Sequence, residues 1–360
     1  MVNQNDIEKN IKTFAELGDI LRQAFAAGKS YLADSAYLYY INEIQYLIKN
    51  LSIYNSWFIE DFVIKAITNI ANLLTYENLT KWISVYESDF NKPHYKNKRV
   101  GVIAAGNIPL AVFHDFLCVL ITNNIFVGKL SSKDDKLLPF IAEIIGKLDP
   151  ELRRNIIFES ANLKNIDAII ASGSNNSARY FKAYFGRYPN IIRKNRNSIA
   201  VLSGNEDGNQ LKALCEDIFL YFGLGCRNVS KLIVPKDYEF NELFEAAEEY
   251  KDLYSHNKYA NNYDYNKAIY LMNKVPHLDN GFLLLKEDYN IDPPTAVIYY
   301  QFYKNIDEVN RYIQENKEKI QCVVSNNSQL KGTIPFGMAQ KPELWDYADE
   351  IDTIKFLLNL

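Results

Sequence analysis

The chain has 360 residues, of which 48% are hydrophobic and 23% are charged, and its formal net charge at pH 7 is −4. This composition is typical of a globular protein with a sizeable core, and the length is sufficient for two domains. The slightly acidic balance argues against a nucleic-acid-binding protein, because such proteins present basic surfaces.

The cysteines and the apolar runs indicate the compartment. The four cysteines, at positions 118, 215, 226 and 322, form no CxxC pair and show no spacing typical of disulfides. Asn-Gln-Asn-Asp follows soon after Met1, where a signal peptide would have a basic and then an apolar region. The longest apolar run, residues 108–122, contains His114 and Asp115 and is too short to span a membrane. We therefore expect a cytoplasmic protein with reduced thiols.

The first 98 residues carry helical patterns. Apolar residues recur at helical spacing, as at Ile11, Phe14, Leu17 and Leu21. This spacing predicts a helical N-terminal region, residues 1–98, that packs on the domain after it. The region contains no recognisable catalytic motif.

From residue 99 the pattern changes to strands alternating with helices. Short apolar runs that read as strands occur at residues 100–105, 125–130, 167–171 and 198–202, each ending in a polar turn. Helical patterns follow several of these turns at intervals that are typical of a parallel α/β sheet. We predict a Rossmann-like nucleotide-binding domain over residues 99–205, with ligand turns at the carboxyl ends of its strands.

The remaining chain reads as a second α/β domain over residues 206–330. Strand-like segments lie at residues 229–234, 268–272, 295–300 and 320–325, and helical patterns at 241–254 and 306–316. Residues 331–360 are predicted to return to the nucleotide-binding domain or to a subunit interface.

Three polar turns are candidate ligand sites. Asn107, in Gly-Asn-Ile-Pro after the first strand, could donate to an oxyanion, although an N-cap is the simpler interpretation. Residues 129–133, Lys-Leu-Ser-Ser-Lys, could hold an adenosine ribose or could form a solvated basic turn. Residues 172–174, Ser-Gly-Ser, precede a helix and could face a pyrophosphate or could cap that helix. Each turn alone favours the structural interpretation.

Cys226 is the candidate nucleophile. An amphipathic helical run leads into Gly223-Leu224-Gly225, and the cysteine that follows stands just before a predicted strand. Glycines at such a junction let a ligand approach the backbone closely, and Arg227 beside the thiol favours the thiolate. A half-buried structural cysteine is the alternative interpretation.

No metal site is predicted. His114 and Cys118 lie four residues apart on one predicted helix, but two ligands do not make a metal site.

Taken together, these turns resemble the aldehyde dehydrogenase superfamily. Members of that superfamily carry four features in a fixed order: a turn asparagine, a lysine after the second strand, a Gly-Ser cofactor turn and the cysteine of a G-x-x-C loop. The same order is present here, at Asn107, Lys129, Gly173-Ser174 and Cys226. The resemblance covers residues 99–330. It implies an aldehyde-dehydrogenase-like α/β fold, with a Rossmann-like cofactor domain, an α/β catalytic domain and a helical N-terminal region.

Longer strings resemble the long-chain acyl-CoA reductase family, which includes the fatty acid reductase subunit of bacterial luminescence operons. Among them are Lys-Leu-Ser-Ser-Lys-Asp from residue 129 and Tyr-Phe-Gly-Leu-Gly-Cys-Arg-Asn-Val-Ser-Lys-Leu from residue 221. Lys129 and Ser131 are then expected to hold the adenosine ribose. Lys133 could face a 2′-phosphate, which together with the resemblance favours NADPH over NADH. The resemblance also implies a fatty acyl-CoA or acyl-carrier thioester as substrate, an acyl-protein synthetase or transferase as a further partner, and a homo-oligomer.

The sequence departs from ordinary aldehyde dehydrogenases in one segment. Those enzymes carry a glutamate that activates water to hydrolyse the thioester, whereas residues 192–196 here, Ile-Arg-Lys-Asn-Arg, contain no carboxylate. Slow hydrolysis favours reduction of an acyl-enzyme to an aldehyde. Three alternatives stay open: an oxidative aldehyde dehydrogenase with an unrecognised carboxylate, an acyl-phosphate reductase, and a non-catalytic acyl-binding scaffold. Tyr221 and Phe222 are candidates for lining an acyl channel or for packing in the core.

Overall fold

The computed structural model describes residues 4–25, 35–90 and 97–360. The helices are α1 (Gln4–Phe25), α2 (Ser35–Tyr54), α3 (Glu60–Leu73), α4 (Tyr76–Ser84), α5 (Glu87–Phe90), α6 (Phe113–Ile121), α7 (Leu137–Leu148), α8 (Pro150–Arg154), α9 (Asn175–Phe185), α10 (Gly208–Phe219), α11 (Asn241–Ala247), α12 (Asn257–Met272), α13 (Ile306–Glu315) and α14 (Thr353–Leu358). The strands are β1 (Arg99–Ile103), β2 (Ile125–Lys129), β3 (Ile156–Phe158), β4 (Ala168–Ser172), β5 (Asn190–Arg193), β6 (Asn197–Val201), β7 (Val229–Pro235), β8 (Leu278–Asp279), β9 (Leu284–Glu287), β10 (Val297–Tyr303) and β11 (Ile320–Val324).

The chain forms two compact units, Met1–Lys194 with Glu343–Leu360, and Asn195–Pro342. The first unit contains a five-stranded parallel sheet in the order β3-β2-β1-β4-β5. Its central strands are apolar and buried along most of their length, as expected for a parallel sheet covered on both faces. This confirms the predicted α/β class.

The N-terminal helices belong to the core of this first unit. Phe14 of α1 is fully buried and meets Phe116 of α6 edge to face, with ring centroids 6.4 Å apart. The side-chain amide of Asn10 donates to the carbonyl oxygen of Leu120 at 3.1 Å. The apolar stripe of α1 is therefore buried against the α/β layer, which is the usual source of stability for an amphipathic helix.

The second unit contains a six-stranded sheet in the order β11-β6-β7-β10-β9-β8, parallel except for β8 against β9. The strand predicted at 198–202 pairs with β7 and β11 in this sheet, whereas the sequence analysis placed it in the nucleotide-binding domain. The units divide after Lys194, and not after residue 205. Local sequence does not encode which sheet an apolar strand will join.

Residues 268–272 were wrongly predicted as a strand. They form the last turns of α12, whose buried residues Tyr259, Tyr263, Asn266 and Tyr270 recur at intervals of three and four. The run of apolar residues at the end of this helix resembles a strand only when it is considered apart from the preceding turns.

The C-terminal segment divides between the units, since residues up to Pro342 belong to the second and those from Glu343 to the first. Among the described residues, we find no helix that combines the length and apolarity needed to cross a bilayer.

Candidate active site

Three predicted ligand turns lie along one edge of the first sheet. β1 is in register with both neighbours, so that Ile103 lies opposite Lys129 of β2 and Ala171 of β4. The predicted residues at or just beyond the ends of these strands are Asn107, Lys129, Ser131, Lys133, Gly173 and Ser174. Because the strands are parallel, these residues follow the carboxyl edge, where open α/β sheets bind their ligands.

The turns after β1 and β2 are in contact. A Cβ on Gly106 would lie 2.5 Å from Oγ and 2.6 Å from Cβ of Ser131, so only glycine permits this approach. Oδ2 of Asp134 accepts a hydrogen bond from the Leu110 N–H at 2.7 Å, and Leu110 has a left-handed backbone, with φ 56°. The exposed Asn107 is therefore carried on a turn that is fixed from both sides.

Asp134 is itself unusual, because it is buried at 8% exposure without a cationic partner in its hydrogen bonds. Burial raises its pKa to about 7, and the Leu110 N–H opposes that shift. The protonation state of Asp134 therefore affects the hydrogen bond to Leu110 that fixes the turn carrying Asn107.

The turn after β4 caps a helix. Ser174 is the N-cap of α9, and its hydroxyl oxygen accepts from the Ser177 N–H at 3.2 Å. A Cβ on Gly173 would come within 2.9 Å of Ser177 Cβ. The capping role anticipated as the simpler interpretation is present, and it leaves the N-terminus of an eleven-residue helix at the carboxyl edge of the sheet.

Cys226 belongs to the second unit, on a strained loop between α10 and β7. Tyr221, Phe222 and Gly223 all have a left-handed backbone, with φ values of 55°, 57° and 71°. For the two aromatic residues this conformation costs energy, and such strain persists only where surrounding structure enforces it.

The side chain of Asn228 fixes the conformation of this loop by hydrogen bonds to its backbone. Its Oδ1 accepts from the Gly225 N–H at 2.8 Å, and its Nδ2 donates to the carbonyl oxygens of Leu220 at 2.8 Å and Asp217 at 3.0 Å. The side chain is 1% exposed. One buried amide therefore joins the end of α10 to the residue before the candidate nucleophile.

The backbone of Cys226 is held from the neighbouring strand. The Ser198 hydroxyl donates to the Cys226 carbonyl oxygen at 3.0 Å, and the same hydroxyl lies 3.0 Å from Sγ of Cys322. Cys226 is half-buried, and all four cysteines of the chain are thiols. Cys226 is thus a partly buried residue whose carbonyl group is held in place.

Asp217 and Arg227 fix a second loop beside the nucleophile loop. The Asp217 carboxylate accepts from the backbone N–H groups of Gly337 at 2.7 Å and Ala339 at 3.0 Å. Nε of Arg227 donates to the carbonyl oxygen of Ala339 at 2.6 Å. Burial raises the pKa of Asp217 to about 7, and the hydrogen bonds from the two N–H groups partly oppose this shift by lowering the pKa. Arg227 was predicted only to favour the thiolate, whereas in the structure it binds this second loop.

A cavity of about 190 Å³ adjoins the nucleophile loop in the second unit. Its wall includes Phe222, residues 223–225, Asn195, Asn197 and residues 293–298. Phe222 is also packed in the core, because its ring contacts those of His256 and Tyr259 at 4.5 and 5.9 Å. Phe222 therefore packs in the core and also lines this cavity, while Tyr221 is buried. An acyl-channel role for either residue stays a prediction.

The segment expected to lack a general base contains a buried ion pair. Arg193, at the end of β5, binds Oδ2 of Asp115 at 2.6 Å, and both side chains are under 10% exposed. Nη2 of Arg193 also donates to the Thr353 hydroxyl at 3.1 Å. The nearby carboxylate is therefore neutralised by an arginine inside the first unit.

The structure adds residues that the sequence analysis missed. Ser198, Asp217, Asn228 and Asp134 are single buried polar residues, and no local pattern distinguishes them from other polar positions. Among these residues, Asn228 is the most recognisable from sequence, because it is a polar residue between Cys226 and an apolar strand. Within the described ranges, no group of three or more metal-binding side chains occurs.

Comparison with known proteins gives a match in structure only. No family model and no curated protein sequence matches the chain. Aldehyde dehydrogenase 21 from Physcomitrella patens, solved with succinate, superposes with a TM-score of 0.69 at 12% identity, covering 98% of this chain and 84% of that one. An acetylating aldehyde dehydrogenase from Geobacillus thermoglucosidasius gives 0.59 at 11% identity, covering 95% and 86%.

A third match is the NADP⁺ complex of succinic semialdehyde dehydrogenase from Streptococcus pyogenes, with a TM-score of 0.61, 11% identity and coverage of 91% and 79%. At sequence identities this low, the structural similarity establishes the fold alone, and the activity has to be inferred from the site residues. The fold expectation is confirmed: this protein has the aldehyde dehydrogenase fold.

Proposed function

We propose that the protein is an NADPH-dependent reductase that converts fatty acyl thioesters, such as acyl-CoA, to fatty aldehydes through a covalent acyl group on Cys226. The observation that carries the proposal is the loop around Cys226. Half-buried Cys226 follows three left-handed residues, and the residues just before it, 222–225, line a cavity. Asn228 holds the Gly225 N–H, and Ser198 holds the Cys226 carbonyl oxygen. Strain of this kind is concentrated at functional sites.

The absence of a carboxylate from residues 192–196 favours reduction of the acyl-enzyme over its hydrolysis. Ordinary aldehyde dehydrogenases hydrolyse their acyl-enzyme with a glutamate, and the segment that resembles that position carries Arg193 and Lys194. Asp115, the carboxylate bound to Arg193, is buried in an ion pair and is a poor general base. Water attack on the acyl-enzyme is therefore slow, which supports transfer of the acyl group to a reductant.

The chemical steps balance as a two-electron reduction. The Cys226 thiolate attacks the carbonyl carbon of the thioester, the bond from that carbon to the sulfur of coenzyme A breaks, and coenzyme A leaves as a thiol after taking a proton. The side-chain amide of Asn107 is assigned, by the family resemblance, as a donor to the oxyanion. When bound, NADPH supplies the hydride. The bond between Cys226 and the acyl carbon then breaks, so that the aldehyde is released and the thiolate is restored.

The first unit has groups that fit a phosphate-bearing dinucleotide. Lys129, Ser131 and Lys133 offer two ammonium groups and a hydroxyl at the carboxyl edge of the sheet, and Gly173 and Ser174 open α9 beside them. Helix N-termini and cations both favour phosphate groups. Lys133 is the residue assigned to a 2′-phosphate, so its substitution should weaken NADPH binding more than NADH binding.

The test is a chain-length series. Purified protein is incubated with C6 to C16 acyl-CoAs and NADPH, consumption of NADPH is followed at about 340 nm, and the aldehyde is trapped as a hydrazone. The proposal expects one aldehyde formed for each NADPH consumed. Preference for a small acyl phosphate would instead indicate an acyl-phosphate reductase, and aldehyde oxidation without coenzyme A would indicate an oxidative dehydrogenase. Binding of acyl groups without NADPH consumption would indicate a scaffold.

A further inference from the structure

A buried lysine lies five residues beyond the candidate nucleophile. Lys231 on β7 is 0% exposed and is among the largest fully buried side chains of the described chain. Lysine is almost never fully buried unless its ammonium group is paired. Its partners therefore indicate what the side chain does.

Three backbone carbonyl oxygens surround the ammonium group. Nζ of Lys231 donates to Asp288 at 2.6 Å, to Tyr289 at 2.9 Å and to Asn290 at 3.1 Å. An ammonium group has three donors and no acceptor, so its hydrogen-bonding capacity matches this set of three acceptors. A neutral amine has only two N–H donors and cannot satisfy all three.

Aromatic rings complete the enclosure. Nζ lies 4.8 Å from the ring centroid of Tyr312 and 5.5 Å from that of Tyr289, distances at which a cation is attracted to the ring face. The Tyr312 hydroxyl donates to the Tyr289 carbonyl oxygen at 3.0 Å and ties the ring to the same loop. The Asp288 carboxylate forms an ion pair with Lys286, whereas Lys231 binds the Asp288 carbonyl oxygen.

The enclosed loop continues into the cavity wall. Ser230, the neighbour of Lys231 on β7, donates from its hydroxyl to the Ile291 carbonyl oxygen at 2.7 Å. Residues 293–298 then form one wall of the cavity beside the Cys226 loop, and Val229 and Ser230 form part of another. β7 thus holds residues 288–291 by two consecutive side chains, just before the chain enters the cavity wall.

We propose that Lys231 is a positioning residue, whose ammonium group sets the loop of residues 288–291 and thereby the cavity wall that faces the Cys226 loop. The effect on catalysis rests on the proposed function, whereas the effect on the loop does not. Burial lowers the pKa of Lys231 to about 7 and the Asp288 carboxylate opposes this shift. The three carbonyl oxygens favour the protonated form as well, because they can only accept.

Chemical rescue tests the proposal. Lys231→Ala removes a fragment equivalent to n-propylammonium, so this ion is the probe, and n-propanol is the neutral control of similar shape. The first measurement is hydrogen exchange of residues 288–296. We expect exchange to accelerate about tenfold or more in the variant, given the loss of charge-assisted hydrogen bonds, and to slow again with n-propylammonium but not with n-propanol.

The second measurement separates positioning from general damage. For acyl-CoA reduction, Lys231→Ala should raise KM about tenfold with a smaller change in kcat, and n-propylammonium should lower KM again. Ser230→Ala, which removes one anchor and leaves the ammonium group, should accelerate exchange less. Lys231→Met, which keeps an apolar stem and removes the ammonium group, serves if Lys231→Ala does not fold. Three results would overturn the proposal: unchanged exchange in a folded Lys231→Ala, equal rescue by n-propanol, or unchanged exchange in Lys231→Met when only that variant folds. Loop acceleration with rescue, but without any acyl-CoA reduction by the unsubstituted protein, would refute the proposed function and support the positioning role.

Discussion

Oδ1 of Asn228 accepts a hydrogen bond from the Gly225 N–H at 2.8 Å, across the turn that carries Cys226. The Nδ2 group of the same side chain donates to carbonyl oxygens at and just beyond the end of α10. A buried amide with both ends satisfied in this way specifies one conformation, because any rearrangement leaves polar groups without partners. The nucleophile loop is therefore determined by a residue that follows the nucleophile in sequence.

Asn228→Ala should destabilise the protein strongly. The substitution leaves the Gly225 N–H and two carbonyl oxygens without their partner in a buried site, so we expect a loss of about 2 to 4 kcal/mol in the free energy of unfolding. Urea denaturation followed by circular dichroism measures the change. Asn273→Ala is the matched control, because the exposed Asn273 amide makes one bond to Ile269. A loss no larger than that of the control would contradict the role given to Asn228.

Gly106→Ala should weaken dinucleotide binding. The added methyl group would lie 2.5 Å from Ser131 Oγ and 3.2 Å from Lys133 Cβ, so the turns after β1 and β2 must separate. Since Ser131 and Lys133 are assigned to the cofactor, we expect the Kd for NADPH, measured by calorimetry, to rise about tenfold or more. Gly208→Ala is the control, because a methyl group there meets nothing within 4 Å. Equal affinities of the two variants would show that the contact between the turns is irrelevant to the cofactor.

The parallel α/β architecture was predictable from the sequence, and its reason is local. Buried strands such as β1 and β4 are short apolar runs, each followed by a polar turn, and the helices show periodic apolar residues. The place of Asn197–Val201 in the second sheet was not predictable, because it depends on long-range pairing with β7 and β11. The end of α12 was misread because a terminal apolar run lacks helical spacing when it is considered alone.

The site was predictable only in part. The turns with Asn107, Lys129 and Gly173 occur at the ends of strands and so can be located from sequence. The residues that hold them cannot, because Asp134 acts on Leu110, 24 residues away, and Asp217 acts on Gly337, 120 residues away. Such pairs are set by the tertiary fold, and a single sequence contains no signal for them.

Asp134→Asn should flatten the dependence of stability on pH. The folded-state pKa of Asp134 is raised to about 7, above an unfolded value of about 3.9. Its contribution to stability is therefore fully present below about pH 4 and is lost as the pH rises through 7. Asparagine keeps an acceptor for the Leu110 N–H and never ionises, so the variant should be more stable than the unsubstituted protein at pH 8, by up to about 4 kcal/mol.

The measurement for Asp134 is urea unfolding of both proteins at pH 5 and pH 8. The comparison uses the difference between the proteins, because Asp217 also has a raised pKa and contributes equally to both. Parallel pH dependences for the two proteins would contradict a buried, protonated Asp134.

The acyl group on the protein should persist when NADPH is absent. Arg193 and Asp115 neutralise each other at 2.6 Å, and no carboxylate occupies residues 192–196. Because a positioned general base accelerates such reactions about 10² to 10⁴-fold, hydrolysis of the acyl group should be slower by about that factor than in an enzyme that has such a base. The acyl group is followed by mass spectrometry after mixing with acyl-CoA, and neutral hydroxylamine should release it. Loss of the acyl group in buffer as fast as turnover would indicate an active base.

The most direct test compares the unsubstituted protein with Cys226→Ala and Cys226→Ser after mixing with radiolabelled fatty acyl-CoA, and locates the label by peptide mapping. The account predicts label on the peptide that contains Cys226, none on the alanine variant, and aldehyde from the unsubstituted protein only when NADPH is added. The serine variant should form an oxygen ester slowly or not at all, since its hydroxyl is a far weaker nucleophile than a thiolate. Label and aldehyde from Cys226→Ala at the unsubstituted rate would contradict the central claim.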